Sequence, residues 1–405
     1  MHPWRPSRVG LAAPFFLLLF VTVLGLRADP GEQPAPLERD GEYWVERSSG
    51  NVPAGEAPFL RIETRGDIIF QGDGGSSFGY QVTRRVMARS EAEARRMLTL
   101  YGGGTVRPER IGDQLELAVK ATGRVTADVQ VQPPRILRQV VVDTAAGSVE
   151  VRDIKAPVNV HNGGGPVLCD RITGALTVRS GGGDLTLGSI NGSVHVNSAS
   201  GVVRLRQASG GATLETGGGE ITVDEITGPL HAVTGAGNIE VGRAGSTVEA
   251  RTRGGLVRVR QAAGEVVADS AGGGIWIGSA QGVRCDSAAG AVKLGGVSGS
   301  IQVRTTVGSI LAELAMREPL MNSLLSAARG DITVWIPAEL AVTVAAIADS
   351  PRSRIVSEFR EIPVTSLRLD GELRCMARGS LNGGGPVLKV AAGEGVVFLR
   401  RLRRP

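Results

Sequence analysis

Three histidines follow the N-terminal segment of the chain, namely His161, His195 and His231, and imidazole is the commonest protein ligand of metal ions. His195 and His231 are two 18-residue periods apart, with Thr213 halfway between them. Stacking of the periods would place the two imidazoles about 9–10 Å apart. One metal ion cannot bind both side chains at that distance. We therefore expect exposed imidazoles rather than a metal site.

Carboxylates recur on a second row, five residues after a repeated glycine. A glycosidase of the usual kind needs two carboxyl groups about 5–9.5 Å apart. Asp170 and Asp224 are three periods apart, which corresponds to about 14 Å. The remaining positions of this row are arginine or glycine: Arg152, Gly188, Arg206, Gly242, Arg260 and Gly278. The pattern favours a solvated face, and it predicts no catalytic residue.

Motifs for other ligands are weak. A calcium-binding β-roll has nine-residue half-turns of the form G-G-x-G-x-D-x-U-x. The segments GGGDLTLGS at 181–189 and GGGEITVDE at 217–225 lack the required aspartate in consecutive turns, so oxygen ligands cannot accumulate. The nucleotide motifs G-x-G-x-x-G and G-x-x-x-x-G-K are absent from the sequence. We expect no metal ion and no other cofactor, and no ligand-binding residue can be assigned.

Four other features have structural interpretations. Arg-Gly-Asp occurs at 65–67 and 329–331, and each copy runs into an apolar segment, which indicates a turn before a strand. The three cysteines have no C-x-x-C spacing, so neither a disulfide framework nor zinc is favoured. Cys169 occupies an inward position and should be a small buried residue. Trp276 occupies an outward position and should be exposed.

A repeat positions all of these residues. Glycine returns with an 18-residue period, with one single-residue slip before Gly290, at Gly147, Gly165, Gly183, Gly201, Gly219, Gly237, Gly255, Gly273, Gly290 and Gly308. Apolar residues stand two and four positions after these glycines, as in Leu185 and Leu187, and again half a period later, as in Val194 and Val196. This alternation is typical of strands with one buried face. We predict an all-β fold, a β-solenoid of about 18 residues per coil preceded by a small α+β capping unit.

The rest of the chain divides into segments. Residues 1–28 have Arg5 and Arg8 before an apolar run, and they are predicted to be a signal peptide or an N-terminal anchor. Residues 29–58 are interpreted as a Pro-rich linker, 59–145 as an α+β N-terminal cap with a helix opened by Ser90 and Glu93, and 146–315 as the solenoid repeats. Residues 316–405 are predicted to form terminal coils and a C-terminal cap with a basic tail, and residues 360–377 within them are expected to be irregular.

The charge distribution argues against nucleic acid as a partner. The formal net charge is +5, but residues 147–308 contain 14 Arg and Lys against 13 Asp and Glu. The excess lies at the two ends, in Arg5 and Arg8 and in the tail from Arg400 to Arg404. Aromatic residues make up 4% of the chain, so the sequence predicts no basic face on which bases could stack.

Four segments carry a resemblance to a known family. They are the repeated unit from Thr216 to Val223, GDITVWIP at 330–337, IVSEF at 355–359 and LNGGGPVLKV at 381–390. Together with the N-terminal unit around SEAEARR, they make residues 59–399 similar to the bacterial putative-adhesin family, an exported β-strand-repeat domain of unknown function. The resemblance implies a β-solenoid in the cell envelope, in the periplasm or on the cell surface.

The expected function is therefore that of an exported, non-enzymatic β-solenoid, acting as an adhesin or as a protein that presents a surface in the envelope. Its expected partner is an envelope polymer, a surface glycan or a partner protein, with membrane contact only through an N-terminal anchor. Two alternatives remain open, a polysaccharide-active β-helix enzyme and a self-associating envelope scaffold.

Overall fold

A computed structural model describes residues 36–405 except for 54, 56–57, 73–74, 104–105, 317–318, 370–371 and 403–405. All of the described strands belong to one compact unit, Pro36–Pro405. The predicted signal peptide or anchor lies outside the described residues. Within the part that the structure describes, no helix is long and apolar enough to span a bilayer.

The regular part of the solenoid is a stack of coils, each with two short strands. Its first strands are β9 (Gln139–Thr144), β10 (Val149–Ile154), β11 (Val158–Asn162), β12 (Val167–Thr173), β13 (Leu176–Ser180), β14 (Leu185–Asn191), β15 (Val194–Ser198), β16 (Val203–Ala208) and β17 (Ala212–Thr216). They are followed by β18 (Ile221–Ile226), β19 (Leu230–Thr234), β20 (Ile239–Ala244), β21 (Val248–Thr252), β22 (Val257–Ala262), β23 (Val266–Ser270), β24 (Ile275–Ala289), β25 (Val292–Val307) and β26 (Ile310–Leu314).

Strands pair in parallel with the strand one coil away, in a register that repeats the sequence period. Val149 pairs with Val167, for example, and Val194 pairs with Ala212. The predicted slip is confirmed: Val266 pairs with Val283, a step one residue shorter than the period, and the register shifts between Gln281 and Val283. The predicted β-solenoid is therefore confirmed, and its apolar rows form one continuous core.

The two sheets of the stack present two outward faces. The histidine face is the outward side of β9, β11, β13, β15, β17, β19, β21 and β23, and it continues through the second halves of β24 and β25. The tryptophan face is the outward side of β10, β12, β14, β16, β18, β20 and β22, the first halves of β24 and β25, and β26. Each face thus consists of the outward side chains of one sheet.

The described N-terminal part contains one helix and eight strands: β1 (Leu37–Asp40), β2 (Tyr43–Pro53), β3 (Phe59–Thr64), β4 (Ile68–Gln71), β5 (Ser77–Met87), α1 (Glu91–Gly102), β6 (Glu109–Ile111), β7 (Gln114–Ala118) and β8 (Val125–Gln132). The helix begins as expected, because the Ser90 hydroxyl accepts a hydrogen bond from the backbone N–H of Glu93. It packs its buried residues against β5 and β8.

Two expectations for this part need correction. The described strands within residues 29–58 are not part of a linker, because β2 pairs along its whole length with β5. The polar residues of β2 and its Pro53 instead belong to a largely exposed antiparallel strand. Part of the expected cap belongs to the stack itself, since β3 and β4 lie between β7 and β8 on one side and β9 and β10 on the other.

The C-terminal part repeats this out-of-order arrangement. Its strands are β27 (Ser323–Arg329), β28 (Ile332–Ile336), β29 (Val342–Ala348), β30 (Arg354–Ser357), β31 (Val364–Leu369), β32 (Glu372–Leu381), β33 (Val387–Glu394) and β34 (Val396–Arg401). The last two, β33 and β34, insert between the coil of β27 and β28 and the coil of β29 and β30. The stretch 360–377, expected to be irregular, instead contains β31 and the first part of β32, which form an antiparallel hairpin.

Candidate functional site

Glycine is required at the repeated corner because stacked turns approach each other through their backbones. A Cβ placed on Gly219 would lie 1.7 Å from the carbonyl oxygen of Gly201, and one on Gly237 would lie 2.1 Å from that of Gly219. Gly218, in the same turn as Gly219, has nothing within 4 Å of such an atom. The 18-residue glycine is therefore fixed by contact between coils.

A row of buried hydroxyl and amide side chains completes each corner, and sequence reasoning missed it. Thr234 Oγ1 donates to the carbonyl of Gly219 at 2.7 Å and accepts from the N–H of Gly237 at 3.2 Å. The same row is buried throughout the regular coils: Thr144, Asn162, Ser180, Ser198, Thr216, Thr234, Thr252, Ser270, Ser287 and Thr305. The signal was present as a polar residue three positions before each repeated glycine. These side chains satisfy backbone groups that stacking removes from water.

The histidine face carries all three histidines, with His161 and His195 exposed and His231 half-buried. His195 and His231 are register partners of Thr213 from opposite sides, so their two-coil separation is confirmed. His231 Nδ1 lies 2.8 Å from Glu249 Oε2, and His161 Nδ1 lies 2.8 Å from Asp143 Oδ1. Each of these two imidazoles thus has its own carboxylate. Among the described residues, no group of three or more His, Cys, Asp or Glu could hold a metal ion.

Asp170, on the carboxylate row of the tryptophan face, has a structural role. Its side chain extends over Gly188, accepts the N–H of Ser189 at 2.9 Å and lies near Arg171 and Arg206. Burial acts to raise the pKa of Asp170, but the Ser189 hydrogen bond and the two guanidinium groups outweigh it, so the pKa is lowered. The carboxylate is thereby held ionised as part of the surface, in agreement with the interpretation as a solvated face.

A closer pair of carboxylates occurs on the histidine face, and sequence reasoning did not identify it. Asp269 and Asp286 are register partners on adjacent coils, which places their strands about 4.8 Å apart. Both line a groove of about 940 Å³ together with Arg251 and Arg304. Arg251 Nε lies 3.0 Å from Asp269 Oδ2, so one member of the pair is neutralised. In the sequence, the two acids are separated by one period shortened by one residue, at the single-residue slip.

Trp276 is the exposed aromatic residue that the sequence predicted on the tryptophan face, and 43% of its surface is accessible. Its register partners on the two neighbouring coils are both cations. The guanidinium carbon of Arg258 lies 4.7 Å from the ring centroid, and Lys293 Nζ lies 5.2 Å from it. The indole is thus held between two positive charges, a contact that sequence reasoning missed.

The remaining candidate residues are structural. Both Arg-Gly-Asp segments precede strands, and Asp67 and Asp331 use their carboxylates to accept backbone N–H groups of the next coil, from Ser148 and Val396. Cys169 is buried as predicted, and burial raises the pKa of its thiol to about 12. A thiol with that pKa is protonated and inert at neutral pH.

Comparison with known proteins gives a family and two distant structures. Residues 112–261 match the family model Toastrack DUF4097. A crystal structure of a putative adhesin from Bacteroides fragilis NCTC 9343 is 12% identical, with 88% of this chain and 97% of that chain covered and a TM-score of 0.25. A putative cell adhesion protein from Clostridium sporogenes ATCC 15579 is 7% identical, with 88% and 100% covered and a TM-score of 0.18.

Scores this low establish neither fold nor function, and no curated protein matches the chain. The family match covers the strands from β7 to β22, which include the regular coils up to residue 261 with their glycine corners. Residues 112–261 are thus similar to the Toastrack DUF4097 family model, which supports the resemblance to a bacterial putative-adhesin family of unknown function.

Proposed function

We propose that this chain is an exported, non-enzymatic β-solenoid that presents its outward faces to an envelope polymer, a surface glycan or a partner protein. The observation that carries the proposal is the contrast within each coil. Inward positions repeat the same apolar, hydroxyl and glycine residues, whereas consecutive outward positions on one row change from Thr222 to Glu240, Arg258, Trp276 and Lys293. A constant interior with a variable exterior suits a scaffold for surface recognition.

The chemistry of the polar residues supports a binding role. The carboxylate of Asp170 is committed to backbone and guanidinium partners, and Cys169 and Cys285 are buried thiols whose pKa values are raised. Catalysis requires groups whose protonation can change near the working pH and that can reach a substrate. These residues have neither property, so we assign none of them a catalytic role.

The ends of the stack support a solenoid that does not polymerise. Among the described strands, three of the four sheet ends finish in antiparallel pairs: β1 with β2 and β5, β6 with β7, and β31 with β32. An antiparallel end strand interrupts the parallel register that a second stacked copy would have to continue. We therefore favour surface presentation over the self-associating envelope scaffold.

The proposal is tested by measuring whether the protein binds envelopes without cleaving their polysaccharides. Purified protein lacking residues 1–28 is incubated with isolated bacterial envelopes and sedimented, and the supernatant is assayed for released reducing sugars. The proposal predicts that the protein sediments with the envelope and that no sugar is released above a buffer control. Failure to sediment with any envelope fraction would contradict it.

The paired carboxylates on the histidine face favour a second candidate function, a polysaccharide-active enzyme. Retaining glycosidases use carboxyl groups about 5–5.5 Å apart, which is close to the spacing of the strands that carry Asp269 and Asp286. The test compares sugar release by the natural chain, Asp286→Asn and the outward control Asp224→Asn. Release that is lost only in Asp286→Asn would establish the enzyme and overturn the non-enzymatic proposal.

A further inference from the structure

We infer that the C-terminal part of the tryptophan face, together with its continuation over β28, β34 and β30, binds a linear acidic polysaccharide. This inference deepens the proposed function and rests on it. The cation-aromatic row is defined here as seven consecutive register partners, of which all except the buried Thr333 are accessible to solvent: Arg258, Trp276, Lys293, Leu311, Thr333, Phe398 and Val356. Six steps between neighbouring strands make this row about 29 Å long. A straight row of that length fits a linear chain better than a compact ligand.

The first half of the row presents charge around an aromatic ring. Arg258 and Lys293 come from the coils on either side of Trp276, and their charged groups lie within 4.7 and 5.2 Å of the ring centroid. Cations held over an indole lose little further freedom when an anion binds. Trp276 remains 43% exposed beside these cations and can therefore contact sugar C–H groups.

The second half repeats the same chemistry on a different pair of residues. The guanidinium carbon of Arg400 lies 5.1 Å from the centroid of the Phe398 ring. Phe398 stands four register steps from Trp276, which corresponds to about 19 Å, and Leu311 lies between them on the row. Two aromatic and cationic positions on one line can engage separate sugars of one polymer.

Charge balance distinguishes this part of the face from the coils before it. The earlier coils pair arginines with nearby acids, as in Arg206 with Asp170 at 3.4 Å and Arg243 with Glu225 at 3.6 Å. Around the row the outward cations are Arg258, Arg260, Lys293, Arg354 and Arg400. Four acids face outward with them: Glu240, which lies 3.7 Å from Arg258, Glu313 on the strand of Leu311, Asp331, which accepts the N–H of Val396, and Glu358, which accepts the N–H of Arg401. The cations exceed these acids by one, and the two cations over the Trp276 ring therefore remain the part of the face that complements a polyanion.

The geometry favours carboxylated sugars over other polyanions. Proteins bind single-stranded nucleic acid by stacking bases on free aromatic faces, and here both neighbours of Trp276 are cations placed over its ring. A lipid surface would need apolar side chains able to insert together, whereas cations and Thr333 interrupt this row. Carboxylates spaced along a sugar chain can form charge-assisted hydrogen bonds with Arg and Lys while the rings contact Trp276 and Leu311.

The test measures binding of the purified chain without residues 1–28 to polygalacturonate by isothermal titration calorimetry. Lys293→Glu/Arg400→Glu should weaken binding roughly tenfold or more, because it reverses both cationic positions. Arg284→Glu/Arg304→Glu is the matched control, since it changes the net charge equally but on the histidine face, in β24 and β25. The control should bind within about twofold of the natural chain, and higher salt should weaken all binding. Circular dichroism melts verify that both double variants fold.

Three results would overturn the inference: no binding to polygalacturonate, equal losses in the two double variants, or tighter binding to single-stranded DNA or phosphatidylglycerol vesicles. The envelope sedimentation experiment separates this inference from the proposed function. If the natural chain sediments with envelopes and Lys293→Glu/Arg400→Glu sediments equally well, the row is not the binding site and the proposed function stands. If only Lys293→Glu/Arg400→Glu fails to sediment with envelopes, the result supports both the proposed function and the binding row.

Discussion

Buried and outward positions of this solenoid use the same residue types with opposite consequences. Threonine is a backbone partner at Thr234 and an outward side chain at Thr213, and glycine is sterically required at Gly219 but not at Gly218. Arginine is buried with Glu46 at Arg84, whereas Arg47 pairs with Glu38 in solvent. Location in the structure, rather than residue type, therefore determines which groups hold the fold and which are free to vary for recognition.

The largest difference in stability is expected between substitutions of Arg84 and Arg47. Arg84 donates from Nε to Glu46 at 2.6 Å and from Nη1 to the carbonyl of Gly102 at 2.8 Å, and its side chain is 5% exposed. Arg84→Ala leaves a buried carboxylate without its partner, so we expect a loss of about 3–5 kcal/mol in the free energy of unfolding. Arg47→Ala should cost about 0–1 kcal/mol. Urea unfolding monitored by circular dichroism measures both, and similar losses would contradict the comparison.

The second-largest difference in stability is expected between substitutions of the neighbouring glycines Gly219 and Gly218. Gly219→Ala places a methyl group against the carbonyl of Gly201, which cannot move without separating two coils, so we expect a loss near the top of about 1–3 kcal/mol. Gly218→Ala, one residue earlier in open space, should stay within about 0.5 kcal/mol of the natural chain. The measurement is thermal and urea unfolding of both variants. If Gly219→Ala is as stable as the natural chain, the steric explanation of the glycine repeat is wrong.

The hydroxyl row gives the third contrast. Thr234→Val retains the shape of the side chain but leaves the carbonyl of Gly219 and the N–H of Gly237 without this partner, which should cost about 1–3 kcal/mol. Thr213→Val on the histidine face should change stability by about 0.5 kcal/mol or less. Hydrogen exchange at the Gly237 amide provides a local readout, since protection there should fall only in the Thr234 variant. Equal protection in both variants would argue against the corner hydrogen bonds.

The smallest effect concerns pH. Because the folded-state pKa of Asp170 is lowered, its ionised form stabilises the folded chain above the ordinary value of 3.8, and this contribution is lost as the pH falls through and below that value. Asp170→Asn should therefore cost about 0.2–1 kcal/mol at pH 7 and almost nothing near pH 2. Asp224→Asn serves as the control on the same row. A stability difference that persists unchanged at low pH would show that charge is not the cause.

Much of the fold could be predicted from the sequence, because its strongest determinants are periodic. The glycines at 18-residue intervals and the alternation at Leu185 and Leu187 identify coil length, inward rows and even the single-residue slip. The out-of-order coils at both ends could not be predicted in this way. Insertion of β33 and β34 between earlier coils depends on contacts between distant segments, and the local apolar pattern is the same for either order.

Less of the candidate site could be predicted. Exposure of Trp276 follows from its outward position, but the cations around it stand one full period before it and one shortened period after it. They become neighbours only when the register between coils is known. The approach of Phe398 to the same row depends on the inserted final coil. The proline-containing segment before Phe59 was misinterpreted as a linker because composition does not reveal the antiparallel partner that β2 finds in β5.

Protease shaving of intact cells tests the proposed surface presentation most directly, with the chain detected by an antibody to residues 340–400. Surface presentation predicts that the intact band disappears while a cytoplasmic control protein is spared, because the solenoid would be displayed outside the cell. Protection that is lost only when the envelope is opened would place the chain in an internal compartment. That result would contradict adhesion and require a role within the envelope instead.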